Sequence, residues 1–280
     1  MVRMLNGLCA GLAATIRVAI PVGLLALNGA CTSAVDNSEV VDRGNDEGGV
    51  DSPRVAMSGS GLGLIAYQFR PGRGQFAVLG ARYSIVQGLD AAVPSGGPIF
   101  VGYDGGEIGM DSAGRGVIFE ENIRADCGDP APGSFRQGVR SRDHDPIAGW
   151  APSQVVVEVV RNCDFNRLVF VGRDLAVDAA GNALAVWVEQ GGDDLPSNLF
   201  AALRLAGGGW TAPIQVNEPL GPQGAVVDVE IAMNPAGAAL VLYRINPTSR
   251  FGSDGPRLLF ARTFNFPAGF GPAIRLDVDS

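Results

Sequence analysis

The chain contains no lysine. Its 21 basic residues are all arginine and stand against 29 acidic ones, for a net charge of −8 over 280 residues. A surface of that sign repels phosphate backbones and argues against nucleic acid as a partner. With one histidine (His144) and four cysteines, the chain shows no zinc-ligand signature. A nucleotide-binding glycine loop and a Gly-x-Ser-x-Gly elbow are also missing, so no cofactor is implied. The apolar stretch Val18–Leu27 is too brief for a stable bilayer span. Long helices are not expected either, because 40 glycines and 18 prolines punctuate the chain.

What is present is a repeat. Four copies of one pattern run VAMSGSGLGLIAY from Val55, IGMDSAGRGVIFE from Ile108, LAVDAAGNALAVW from Leu175 and IAMNPAGAALVLY from Ile231. Each begins with apolar/small alternation, the mark of a strand with one buried face. A turn follows, opened by Ser58, Asp111, Asp178 or Asn234, whose short side chains can accept a hydrogen bond from the backbone two residues on. Three residues later every copy has glycine (Gly61, Gly114, Gly181, Gly237), as a left-handed turn position requires. A second apolar strand ends on Tyr67, Trp187 or Tyr243, with Glu120 the exception. Ala56, Gly109, Ala176 and Ala232 keep one position small, which predicts crowding where inner strands converge. An arginine-bearing outer strand follows (Arg82, Arg140, Arg204, Arg262). GWAP, GWTAP and GFGP at Gly149, Gly209 and Gly269 then lead into a further strand. About four strands per unit is the content of a propeller blade. The copies start 53, 67 and 56 residues apart, longer than the roughly 40–50 residues of common blades. The fold class is therefore all-β and propeller-like, with four repeats and room for a degenerate fifth blade, over residues 53–280.

Residues 1–31 read as a secretory signal: Arg3 and Arg17, the apolar Val18–Leu27, then Asn28-Gly29-Ala30-Cys31. Gly29-Ala30-Cys31 resembles the lipobox of bacterial lipoproteins, although Asn28 departs from the aliphatic residue of that pattern. The resemblance implies lipidation at Cys31 and a membrane partner reached through the N-terminal lipid. Cleavage elsewhere, for instance after Ala34, and a retained anchor are the other readings. Residues 32–52 are acidic and polar, with too little apolar surface to offset chain entropy, and read as a disordered tether. The exported domain then keeps Cys127 and Cys163, which in an oxidising compartment most simply pair. Their cross-link is worth roughly 3–4 kcal/mol by chain entropy. A free thiol or a metal ligand is the lesser reading.

The combination VDAAGNALAVW, LFAALRL and GGGWTAPIQV resembles bacterial exported proteins with propeller-like repeats, distantly related to sialidase and kelch propellers. The resemblance implies a cell-envelope location and a protein or glycan ligand. The sialidase Asp box, Ser-x-Asp-x-Gly-x-x-Trp, is not met, because Asp178 is followed by glycine three residues on. The arginines, tyrosines and turn aspartates recur in step with the repeat, which favours structural roles, since one catalytic site needs one of each group. Asp143-His144-Asp145 is the asymmetric cluster and the candidate binding site, by acid–base or metal chemistry. Alternation along a strand allows at most two of the three to converge. The reading is a non-catalytic envelope lipoprotein that binds or scaffolds. The alternative is a glycan hydrolase or lyase working at the central opening. Unlike polar groups along the axis would favour the enzyme; Ala, Gly and Val would favour the scaffold.

Overall fold

The computed structural model describes residues 50–72, 75–84, 88–89, 93–94, 106–125, 134–162, 170–190, 196–221, 224–247 and 257–277. Cys31, Cys127 and Cys163 lie outside them, as do the leader and all but the end of the tether. Among the described residues there is no helix.

Four antiparallel sheets follow one another along the chain. The first holds β1 (Val50–Met57), β2 (Leu62–Gly72), β3 (Gln75–Ser84), β4 (Gly88–Leu89) and β5 (Val93–Pro94). The second holds β6 (Glu107–Met110), β7 (Gly116–Ala125), β8 (Ser134–Asp145), β9 (Gly149–Trp150) and β10 (Gln154–Asn162). β11 (Phe170–Val177), β12 (Ala183–Glu189), β13 (Asn198–Arg204) and β14 (Ile214–Gln215) form the third. The fourth is β15 (Ala225–Met233), β16 (Ala238–Asn246), β17 (Leu258–Asn265), β18 (Gly269–Phe270) and β19 (Ile274–Arg275). Each runs as a meander from an inner strand (β1, β6, β11 or β15) outwards. The fold is therefore an all-β, propeller-like set of four blades, as the repeat predicts. β1 starts at Val50, three residues ahead of the expected domain start.

The turn chemistry is that of the sequence pattern. Gly61, Gly114, Gly181 and Gly237 have φ of 82°, 85°, 91° and 84°. Asp111 Oδ1 accepts from the N–H of Ala113 (2.9 Å) and of Arg115 (2.8 Å). Asp178 does the same with Ala180 and Asn182, and Asn234 with Ala236 and Ala238. The turns also join blade to blade: the Ser112 N–H and hydroxyl donate to the Ala179 carbonyl, and the Ala179 N–H donates to that of Pro235.

Three hydrophobic cores lie between the four blades. Leu64 and Ala66 of β2 pack on Ile118 of β7, with Ile108, Met110 and Trp150 beside them. Val117 and Phe119 of β7 meet Leu175, Ala185 and Trp187 of the third blade. Leu184, Val186 and Val188 of β12 meet Val241, Tyr243 and Phe264 of the fourth. Full burial of a side chain this size contributes about 1.5–3 kcal/mol. Among the described residues no fourth core joins the last blade to the first. The recurrent outer arginines act between blades. Arg82 donates to the Pro146 carbonyl, Arg204 pairs with Asp143, and Arg262 donates to the Val216 carbonyl. Arg140 instead faces Glu158 of its own sheet at 3.7 Å. Crowding at the small inner position is realised at Gly109, where a Cβ would fall 2.4 Å from Val177 of the next inner strand. Ala232 is exposed, contrary to that expectation: among the described residues nothing packs over it.

Candidate functional site: the axial cleft

The four inner strands carry one position that is charged in every copy. Counted back four residues from the turn-opening residue, it holds Arg54, Glu107, Asp174 and Glu230. All four line a single cavity of about 460 Å³, together with Gly172, Arg173, Asp228 and Val229. Backbone irregularity marks the same level. β1, β11 and β15 each break register there, between Asp51 and Arg54, Phe170 and Arg173, and Val226 and Asp228. A bulge bends a strand and re-aims its side chains, and bulges concentrate beside active sites.

Charge is distributed unevenly around the cleft. Arg54 holds Glu107 with a two-point fork, Nε to Oε2 at 2.9 Å and Nη2 to Oε1 at 3.1 Å, linking the first two blades. Arg244 pairs with Asp228 within the fourth. Arg173, which also lines the cavity, meets Glu121 at 3.4 Å, both side chains buried, and the Gln137 amide also donates to Glu121. Asp174 is the perturbed group. Its Oδ1 accepts from the Leu175 N–H and its Oδ2 from the Ile231 N–H of the next blade, each at 2.7 Å. Burial pushes its pKa up to about 6, with the negative charges of Glu107 and Glu230 adding to the rise while the two N–H bonds oppose it. Glu230 is exposed at the cavity wall. The arrangement offers a carboxyl whose pKa is raised to about 6 beside three further acidic side chains, with guanidinium groups to orient a polar ligand.

The Asp143-His144-Asp145 cluster lies elsewhere, on β8 towards the turn ends of the second and third blades. The three line a small cleft of about 150 Å³ with Asp111, Arg115 and Arg204. Each also has structural work. Asp143 pairs with Arg204 across the blades, and His144 packs edge-on against Trp150 with ring centroids 4.7 Å apart. Asp145 Oδ1 accepts from the N–H groups of Ile147 and Ala148, and those bonds, Ala148's first, hold its carboxyl below the ordinary range. Among the described residues no three acidic, His or Cys side chains converge to hold a metal ion. Trp187 is fully buried, and Trp210 donates from Nε1 to Ser141 Oγ at 2.6 Å. Reading the sequence for asymmetry singled out this cleft and passed over the axial one. The signal for the axial cleft was the charged residue at a fixed phase in all four copies, alternating with the small one.

No protein-family profile matches the sequence, and no curated protein matches it. Solved structures do. An α-L-arabinanase of Penicillium chrysogenum, solved with arabinobiose, superposes with a TM-score of 0.51 at 13% identity, over 81% of this chain and 66% of that one. An α-L-arabinofuranosidase of glycoside hydrolase family 93 from Fusarium graminearum gives 0.45 at 11% identity, over 81% and 65%. An endo-arabinase from Bacteroides thetaiotaomicron gives 0.39 at 10%, over 82% and 81%. At such identity the first likeness shows the fold alone, and the lower scores carry no argument. The chain spans just under two thirds of the length of the first two.

Proposed function

We propose that the axial cleft is a glycan-processing site, with Asp174 as proton donor and Glu230 as the second acidic group of the pair. The observation that carries this reading is the convergence of Arg54, Glu107, Asp174 and Glu230 on one cavity, where Asp174 is held protonated up to about pH 6. Glycosidic bond cleavage uses such a pair: one carboxyl protonates the leaving oxygen while a carboxylate attacks the anomeric carbon or activates water. Unlike polar groups line the axis, which supports the hydrolase alternative over the scaffold. The solved arabinanase with its bound disaccharide makes arabinose-containing glycans the first substrates to try.

One feature favours a binding module that does not turn its ligand over. Both oxygens of Asp174 accept backbone N–H groups, as in a carboxylate that ties two blades together. A panel of neutral and acidic glycans, read by release of reducing ends and by calorimetric binding, separates the two. Asp174→Asn and Glu230→Gln are expected to lower turnover by about 10²–10⁴ while leaving the fold intact. Turnover that survives both substitutions would sink the catalytic assignment, and binding without turnover would establish the binding module. Export to the cell envelope with a lipid on Cys31 belongs to the same proposal, since a tethered glycan-binding domain needs access to its polymer.

A further inference from the structure

We propose that the first and last blades dock on each other between copies of this chain. One blade-to-blade interface recurs three times among the described residues, and its two halves are also exposed, one on the first blade and the other on the fourth. In the sequence repeat, the residues three and one before the turn residue pack backwards, onto the preceding blade. Ile108 and Met110 do so in the second blade, Leu175 and Val177 in the third, and Ile231 and Met233 in the fourth. Their counterparts in the first blade are Val55 and Met57, equally apolar, yet 66% and 52% exposed.

The forward half shows the converse. Six residues after the turn residue stand Leu64, Val117 and Leu184, each buried against the next blade. The fourth blade has Leu240 there, 43% exposed, and across the strand pair from it stands exposed Ala232. Ala232 corresponds to Gly109, the spot into which Val177 of the next blade projects. Val177 in turn corresponds to Met57. One end of the chain therefore carries a large apolar side chain at the position that fits the small-residue socket at the other end. The socket is of the kind this chain already fills with its own sequence, so the occupant that fits it is a second copy.

Contact between two different faces is heterologous and either closes into a ring or propagates.

The test is sedimentation of the full chain at tens of micromolar, beside Leu240→Asp and Val55→Asp, which change exposed positions on opposite faces. The expected result is an assembly of at least twice the chain mass that falls to monomer in both variants, with thermal melting of the monomer unchanged. In a second measurement, isotopically labelled Met57→Cys chains are mixed with unlabelled Ala232→Cys chains and oxidised. Mass spectrometry should then find a cross-linked peptide joining positions 57 and 232, one half labelled. A wild-type chain that stays monomeric overturns the proposal. So does an assembly indifferent to both aspartates, or a 57–232 link formed only within a single chain carrying both cysteines, which would mean that the blades close on themselves.

Discussion

Replacing Gly181 by alanine tests the turn on which the repeat is built. Its φ of 91° lies where a Cβ crowds the following carbonyl, a conformation that costs an ordinary residue roughly 1–2 kcal/mol. The added methyl would also reach the neighbouring blade, 3.1 Å from Asp111 Oδ2. At Gly237 the equivalent contact is Asp178 Oδ2 at 2.9 Å, and Asn182 Nδ2 holds that oxygen at 2.7 Å. At Gly114 it is Leu62 Cδ1 at 2.4 Å with Leu62 Cβ at 3.1 Å, so the leucine must turn aside. The sum for each is about 1–3 kcal/mol, with Gly114 and Gly237 at the upper end. In a domain of this size about 1 kcal/mol moves the melting temperature by roughly 2–4 °C, so losses of about 2–12 °C are expected. Ala180→Val, one residue earlier and exposed, should stay within about 0.5 kcal/mol of wild type. Circular dichroism melts at one scan rate, supported by denaturant midpoints, measure the series. If Gly181→Ala melted like wild type, or Ala180→Val lost as much, the left-handed turn would not be the reason these glycines recur. If only one of the three glycines mattered, the blades would not be equivalent.

Asp174 predicts a pH dependence. Its folded pKa of about 6 lies above the ordinary carboxyl value, so the folded chain keeps a proton that the unfolded chain has released. Stability should therefore fall as pH rises from about 4 to about 6 and level off above, by up to roughly 2–3 kcal/mol. Asp174→Asn should remove that slope, and urea unfolding across the range would show an undiminished slope if the assignment were wrong. Arg173→Met removes the cation that faces buried Glu121 and should cost about 3–5 kcal/mol, most of it recovered by adding Glu121→Leu; a double variant no better than the single would contradict this. Mass spectrometry of the unreduced chain should find a Cys127–Cys163 peptide, and free thiols at both positions would refute the pairing. Cys31→Ser should move the protein out of the detergent phase, whereas unchanged partitioning would remove the lipid anchor.

The four-blade fold was legible because it is written in local chemistry that repeats. Asp178 and Gly181 dictate a turn wherever they occur, and four copies of that turn with alternating flanks leave few architectures open. The axial cleft was less legible for a physical reason. Arg54, Glu107, Asp174 and Glu230 are each unremarkable as a charge on a strand, and only the convergence of the inner strands gives them one cavity. The bulges that aim them add backbone without any glycine or proline common to all three sites, so a residue count along the strand misses them. Repetition marks structure where the recurring side chain has a partner in the next blade. It holds for Arg204 and Arg262, whose partners lie between blades. At the level four residues before the turn the recurring feature is charge and the departure is its sign. There Arg54 stands against three acidic residues and forks to one of them, Glu107, and all four line the cavity. A repeat protein can thus build one asymmetric site from equivalent positions by changing only the sign of one side chain. That asymmetry becomes visible when the copies are aligned on their turns and compared position by position around the axis.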